Sequence, residues 1–226
     1  MIKCEYIEVF GWRAALRGMR NPMNSWDKSD TKYITFCVTK EQYKLAQICG
    51  GLAPMIGEND LDLMRRLYKG GSEHRKYSRM LHIQMDITAP MYFWKQYSTY
   101  KVATTENSTS TMHKIHAKEF EADDFSHEHL SECKEPFYYN VLETVINGLN
   151  SARNLYLKTK EKIYWWAMIQ LLPSSYNQRR TVDFTYETAF NMIDQRDGHK
   201  LDEWHEFVNI LRSLPYVAEI RGEVEE

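Results

Sequence analysis

Residues 80–87, MLHIQMDI, alternate without a break. Leu81, Ile83, Met85 and Ile87 fall on one side of an extended chain, and Met80, His82, Gln84 and Asp86 on the other. Successive side chains of a strand point to opposite faces, so the pattern predicts a half-buried strand with one apolar face. The strand runs directly into Ala89-Pro90 and the aromatic segment MYFWKQY. Proline is tolerated at the first helical position, where the N–H it lacks has no intrahelical partner, so an amphipathic helix is expected to begin at Pro90. A strand that passes straight into a helix points to a fold that mixes the two.

The remaining chain repeats that mixture. Lys3–Phe10 reads as a strand, and Trp12–Arg20 as a short basic helix stopped by Asn21-Pro22. Residues 21–32 form a polar loop around Trp26. Residues 39–49 are helical by pattern and end at Gly50-Gly51; residues 59–69 are helical, with Asn59 as N-cap and Gly70-Gly71 at the end. Residues 113–133 are acidic and His-containing, irregular or short-helical. Over 137–157, Val141, Leu142, Val145, Ile146, Leu149, Ala152 and Leu155 recur at helical spacing and predict a long amphipathic helix. Residues 164–172 are apolar almost all round, which predicts burial. An extended piece at 180–184, a helix at 188–195 and a last helix at 201–214 follow, with a frayed acidic tail beyond. Neither a repeat nor a long linker interrupts the chain, so one domain over residues 1–226 is expected.

Composition excludes several roles. A net charge of -2 argues against non-specific nucleic-acid binding, which needs a basic excess. No segment is long and uncharged enough for a membrane span, so no membrane partner is expected. Cys4, Cys37, Cys49 and Cys133 are widely spaced and form no CxxC pair, which suits a reduced, cytoplasmic setting. His113, His116, His127 and His129 flank Asp123-Asp124 near Cys133, yet no full zinc-ligand set stands at standard intervals, and no metal is expected.

Residues 89–114, APMYFWKQYSTYKVATTENSTSTMHK, pass from the aromatic helix into a run of Thr, Ser, Glu and Asn that reads as a polar loop. This layout of apolar strand, Pro-entered helix carrying Gln96, then polar loop resembles the signature segment of the flavin-dependent thymidylate synthases. In that family the loop reads Arg-His-Arg-x-x-Ser-x-Asn-Glu-x-Ser-x-Arg-Tyr. Read without a gap, Thr99, Tyr100 and Lys101 replace the Arg, His and Arg, Thr104 replaces the Ser, and Glu106-Asn107 replaces Asn-Glu. A one-residue shift instead sets Glu106 and Ser108 on the family's Glu and Ser and loses Lys101 as a match. Upstream, His74 stands near the first His of the family's Gly-His-x-Ser/Thr-x-x-Glu-His pattern, with Arg79 and Met80 at its Glu and second His. Near the C-terminus, Asn191 and Arg196 keep the family's five-residue Asn-to-Arg spacing, and Glu187 stands where the family has another Arg.

The resemblance implies an α+β fold with a central antiparallel sheet packed against long helices. It implies a one-carbon, methyl transfer from a folate donor to dUMP or a related pyrimidine nucleotide, with FAD as cofactor and a site assembled in a homotetramer. Carried over residue by residue, Arg196 is the catalytic candidate. Lys101, Thr104, Glu106, Ser108 and Arg196 are candidates for the nucleotide, and His74, Gln96 and Asn191 for the flavin. Taken alone, Arg196 reads as a solvated helix-end charge and residues 104–111 as a capping Ser/Thr loop. The alternative function is a non-catalytic nucleotide-binding or sequestering protein on the same scaffold, because the cationic Arg-His-Arg cluster is missing.

Overall fold

The computed structural model describes residues 2–34 and 36–223. In chain order the elements are β1 (Lys3–Phe10), α1 (Trp12–Arg20), β2 (Lys32–Tyr33), α2 (Lys40–Ile48), β3 (Pro54–Met55), α3 (Glu58–Lys69), β4 (His82–Pro90), α4 (Met91–Tyr97), β5 (Thr104–Ser108), α5 (Glu128–Glu132), α6 (Phe137–Thr159), α7 (Lys162–Leu171), β6 (Asn177–Thr185), α8 (Tyr186–Arg196), α9 (Asp202–Arg212) and α10 (Val217–Arg221). The fold is α+β, a mixture of helices and antiparallel sheet. One four-stranded sheet has the order β1-β4-β6-β5, and β2 pairs antiparallel with β3, Lys32 opposite Met55.

The chain divides into two compact units. The first comprises Met1–Lys3, Ile87–Thr99 and Asn107–Arg180; the second comprises Cys4–Asp86, Tyr100–Glu106 and Thr181–Glu226.

In the first unit, Ile115, Phe120, Phe125, Leu142, Ile146, Leu149, Ala152 and Met168 form a buried cluster in which α6 packs on α7. Helix α4 buries Phe93, Trp94 and Tyr97, and the Trp94 indole N–H donates to Ala89 O at 3.0 Å and Gln178 O at 2.9 Å. Pro90 is the last residue of β4 and stands just before α4, not at its first helical position. The first-turn N–H groups of Met91 and Tyr92, which have no partner within the helix, donate to Tyr176 O and Ser174 O. Helix α7 is not the buried helix its apolar sequence predicts. Met168 is buried, while Ile163, Trp166 and Leu171 are 64%, 42% and 47% exposed. A helix that is apolar all round needs cover on every side, and α6 covers one.

In the second unit the alternating strand is as expected. Leu81, Ile83 and Met85 are buried, while Gln84 Nε2 donates to Asp183 Oδ2 at 2.9 Å and Asp86 Oδ1 accepts from Thr181 Oγ1 at 2.6 Å. Helix α1 starts after Gly11, whose φ of 99° suits glycine and whose absent Cβ would meet Met80 O at 1.9 Å. The start of α3 differs from the sequence reading. Asn59 lies inside the helix, Gly57 is the N-cap, and Asp30 caps from a distance, accepting from Asn59 N at 2.9 Å and Asp60 N at 3.1 Å. The carboxylate does at long range what an N-cap side chain does locally, which no local pattern encodes.

Two further expectations are corrected. Residues 104–108 of the polar loop are the strand β5, next to β6 at one end of the sheet order. Thr side chains are at home on a strand, and β6 supplies the hydrogen-bonding neighbour that a loop reading overlooked. Helix α9 is not the last, since the tail continues into α10, which buries Val217 and Ile220. The acidic end of the tail, residues 224–226, lies outside the described residues.

Candidate functional site

Helix α8 organises the polar groups of the second unit. Thr185 caps it, its hydroxyl accepting from Thr188 N at 3.4 Å. Residues four apart share a helix face, so Glu187 and Asn191 point the same way. Both meet Arg75, which comes from the turn after α3. The Arg75 Nη2 donates to Asn191 Oδ1 at 3.1 Å, and its Nε lies 2.8 Å from Glu187 Oε2. That ion pair is close but out of line for a hydrogen bond, so the buried Nε has no hydrogen-bond acceptor among the described residues. Tyr68 and Phe190 present their rings to the guanidinium at 5.2 and 5.9 Å. Ser78 Oγ lies 2.8 Å from the same Glu187 oxygen.

Arg196, five residues beyond Asn191, points elsewhere, as 3.6 residues per turn requires. Its Nε donates to Tyr100 Oη at 2.9 Å, and its guanidinium lies 4.7 Å from the Trp204 ring and 5.5 Å from the Tyr100 ring. It is thus a half-buried cation held on two aromatic rings, not a solvated helix end. His199 stands beside Trp204 at 6.2 Å, ring to ring. Burial, then the Arg196 charge and His205, push the His199 imidazole below its usual range. Its Nδ1 accepts from Leu201 N at 3.1 Å, which the neutral form allows.

Lys101 is exposed, one residue after Tyr100 and one before the turn at Val102 and Ala103. Thr104 and Glu106 are half-buried and share one face of β5, because side chains two apart on a strand do. Ser108 ends the same strand, exposed, in the part that belongs to the first unit. Gln96 is half-buried on α4, also in the first unit. His74 is exposed and packs against Gly70, its Cβ 3.1 Å from where a side chain at Gly70 would begin.

No local signal marks Tyr100 and Trp204 as the rings that hold Arg196. The i, i+4 spacing of Glu187 and Asn191 signalled a shared face, but nothing local names the cation that meets it. Arg75 brings a guanidinium to Glu187 and Asn191 from a different element. Of the His-rich stretch, His127 lies 3.1 Å from Ser131 Oγ, His129 lies 3.4 Å from Glu132 Oε2, and Asp124 pairs with Lys118. Among the described residues no three His, Cys, Asp or Glu side chains gather as a metal site.

No protein-family model matches the chain, and no curated protein matches it. Solved structures do. The chain is similar to the flavin-dependent thymidylate synthase ThyX from Helicobacter pylori complexed with FAD and dUMP, with a TM-score of 0.62 and 16% identity over 97% of this chain and 96% of that one. A second structure of the same Helicobacter pylori protein with FAD and dUMP gives a TM-score of 0.61 at 16% identity, over 97% and 95% of the two chains. At that identity the likeness establishes a fold shared with the flavin-dependent thymidylate synthases across nearly the whole chain.

Proposed function

We propose that this chain is a flavin-dependent thymidylate synthase-like protein that binds dUMP or a related pyrimidine nucleotide and transfers one carbon to it as a methyl group. The observation that carries the reading is the near full-length fold match to a protein solved with FAD and dUMP. In this reading Arg196 is the catalytic residue that touches the pyrimidine, and it takes the nucleotide together with Lys101, Thr104, Glu106 and Ser108. Its stacking on Trp204 and its bond to Tyr100 supply the rigidity such a contact needs. His74, Gln96 and Asn191 take the flavin. When bound, FAD supplies the hydride and a folate the carbon; the residues of this chain bind and orient.

The assembly proposed is a homotetramer. Its support is the apolar surface on α6 and α7, where Phe137, Tyr138, Ile163, Trp166 and Leu171 are exposed. Four cysteines without disulfides support a cytoplasmic setting. One domain over residues 1–226 remains the proposed organisation, to be tested by whether unfolding is a single cooperative transition. Light scattering that finds a monomer at micromolar concentration removes the tetramer.

A second reading, nucleotide binding without turnover, is favoured by one observation. At positions 99–101 the chain offers Thr99, Tyr100 and one exposed cation, Lys101, in place of three cationic or ring groups. Titration calorimetry with dUMP tests the shared part. Arg196→Ala should weaken binding by about 10- to 100-fold, the worth of one charge-assisted hydrogen bond of ~1.5–3 kcal/mol. Arg196→Ala also gives up its bond to Tyr100 and its contact with Trp204, so circular dichroism must show that the variant is folded before its affinity is compared. Equal affinity in both proteins, or none in the wild type, sinks the nucleotide assignment. A yellow preparation absorbing near ~450 nm, as oxidised flavins do, separates the enzyme from the sequestering protein.

A further inference from the structure

We propose that the cavity between α1 and residues 26–33 is a second binding site, for a small aromatic phosphate monoester. The proposal uses none of the residues assigned to the nucleotide and flavin above.

The cavity, about 370 Å³, is lined by Arg13, Leu16, Arg17, Arg20, Trp26, Ser29, Thr31 and Tyr33. Its size falls in the range of small-ligand sites. The spacing i, i+4, i+7 along α1 places Arg13, Arg17 and Arg20 on one face. The three cations differ. Arg20 is 4% exposed and is neutralised by Asp60, its Nε 2.6 Å from Asp60 Oδ1. Its Nη1 donates to Ser25 O at 3.2 Å, and its Nη2 is buried with no acceptor among the described residues. Arg13 and Arg17 are exposed, and neither is ion-paired among the described residues. Two uncompensated guanidiniums beside one cavity match a phosphate dianion; a single carboxylate would leave one of them unmatched.

The flat walls argue for an aromatic group on that phosphate. Trp26 is 51% exposed, yet its indole N–H is satisfied by Asn21 Oδ1 at 2.8 Å. The ring is held by its edge while half of its surface stays open. The Arg13 guanidinium lies 4.9 Å from the Tyr33 ring. Burial raises the Tyr33 hydroxyl above its usual range, with the Arg13 and Arg17 charges pulling against it, which sets both cations beside this ring. The wall between the two rings is fixed. Asp60 accepts from Ser29 Oγ at 2.7 Å and from Thr31 Oγ1 at 2.6 Å, and Asp30 caps α3. The cavity is thereby preformed, with little left to order when a ligand enters.

AMP, adenosine and inorganic phosphate are the probes, read by calorimetry and tryptophan fluorescence on the full chain. AMP should bind saturably and change the Trp26 signal, with Trp26→Leu removing the change. Adenosine and phosphate should each bind at least about ten-fold more weakly, and Arg13→Gln and Arg17→Gln should each weaken AMP by about ten-fold or more, the scale of one charge-assisted contact. Both arginines are exposed, so an unchanged thermal midpoint confirms that these variants fold. Arg196→Ala should leave AMP binding intact while it weakens dUMP binding, which separates this site from the one above. Unchanged AMP affinity in both arginine variants, loss of it in Arg196→Ala, or no saturable AMP binding overturns the proposal. A single-stranded oligonucleotide that binds through Arg17 more than about ten-fold tighter than AMP overturns it in favour of a nucleic-acid strand.

Discussion

Helix α8 buries Tyr186, Thr188, Ala189, Phe190, Met192 and Ile193, whereas helix α7 buries Met168 and leaves Ile163, Trp166 and Leu171 outside. The two differ in what surrounds them. In its own unit α8 meets α9 on one side and the 3-10 turn at Lys76–Met80 on another. Its polar residues are also committed: Glu187 and Asn191 to Arg75, Arg196 to Tyr100. Helix α7 packs on α6, with Trp165, Ala167 and Ile169 partly buried against the same cluster, while Ile163, Trp166 and Leu171 stay exposed. The contrast teaches that apolar content measures how much surface a helix must hide, not where it hides it. A helix finished within its own unit can carry a site; one left uncovered is surface for a partner.

The largest effect expected is at α8. Phe190→Ala removes a fully buried ring that also faces Arg75 and Tyr186, and should cost about 3–5 kcal/mol in urea unfolding. A loss below about 1 kcal/mol would break the contrast, because α8 would then be no better enclosed than α7.

A comparable loss is expected where α1 meets α3. Asp60→Ala leaves Arg20 buried without its counter-charge and should cost about 3–5 kcal/mol. The pair also gives a pH signature. Burial alone would raise the Asp60 carboxyl, but hydrogen bonds from Thr31, Ser29 and Arg20, with the Arg20 charge, hold it below the ordinary carboxylate range. A depressed folded-state pKa stabilises above the unfolded value of about 3.9, and that stability is lost as pH falls from there through the folded-state value. Unfolding free energy measured from pH 6 downward (about two units above that value) should therefore fall less steeply in Asp60→Asn than in the wild type below about pH 4. Identical slopes would show that the group does not carry the linkage.

The smallest effect on chain stability, and the one that sharpens the comparison most, is at Ile163 and Trp166. If α7 is free in solution, Ile163→Ala and Trp166→Ala should each shift stability by no more than about 0.5 kcal/mol. If it is covered by another copy, the same variants should shift light scattering toward smaller species, and unfolding should become concentration-dependent. Neither change in the two variants would leave the exposed face of α7 without a partner.

Much of this was legible along the chain. Period-two alternation set the apolar face of β4, helical spacing set α6, and Asn21-Pro22 set the end of α1, because each is a rule about residues close in sequence. The layout from strand to helix to polar stretch, with the Asn191–Arg196 spacing, was enough to indicate the fold that the solved structures share. Tertiary structure decided the rest. Residues 104–108 became a strand because β6 lies beside them, and α3 was capped by Asp30, 27 positions before Gly57 with β2, α2 and β3 between. Arg75 reached Glu187 and Asn191, Arg196 settled on Trp204 instead of in solvent, and α7 stayed uncovered. The partners β6, Asp30, Arg75 and, for Arg196, Tyr100 are distant along the chain. Side-chain identity states what a group needs, a counter-charge, an acceptor or an apolar cover, and only the folded chain determines which group meets that need.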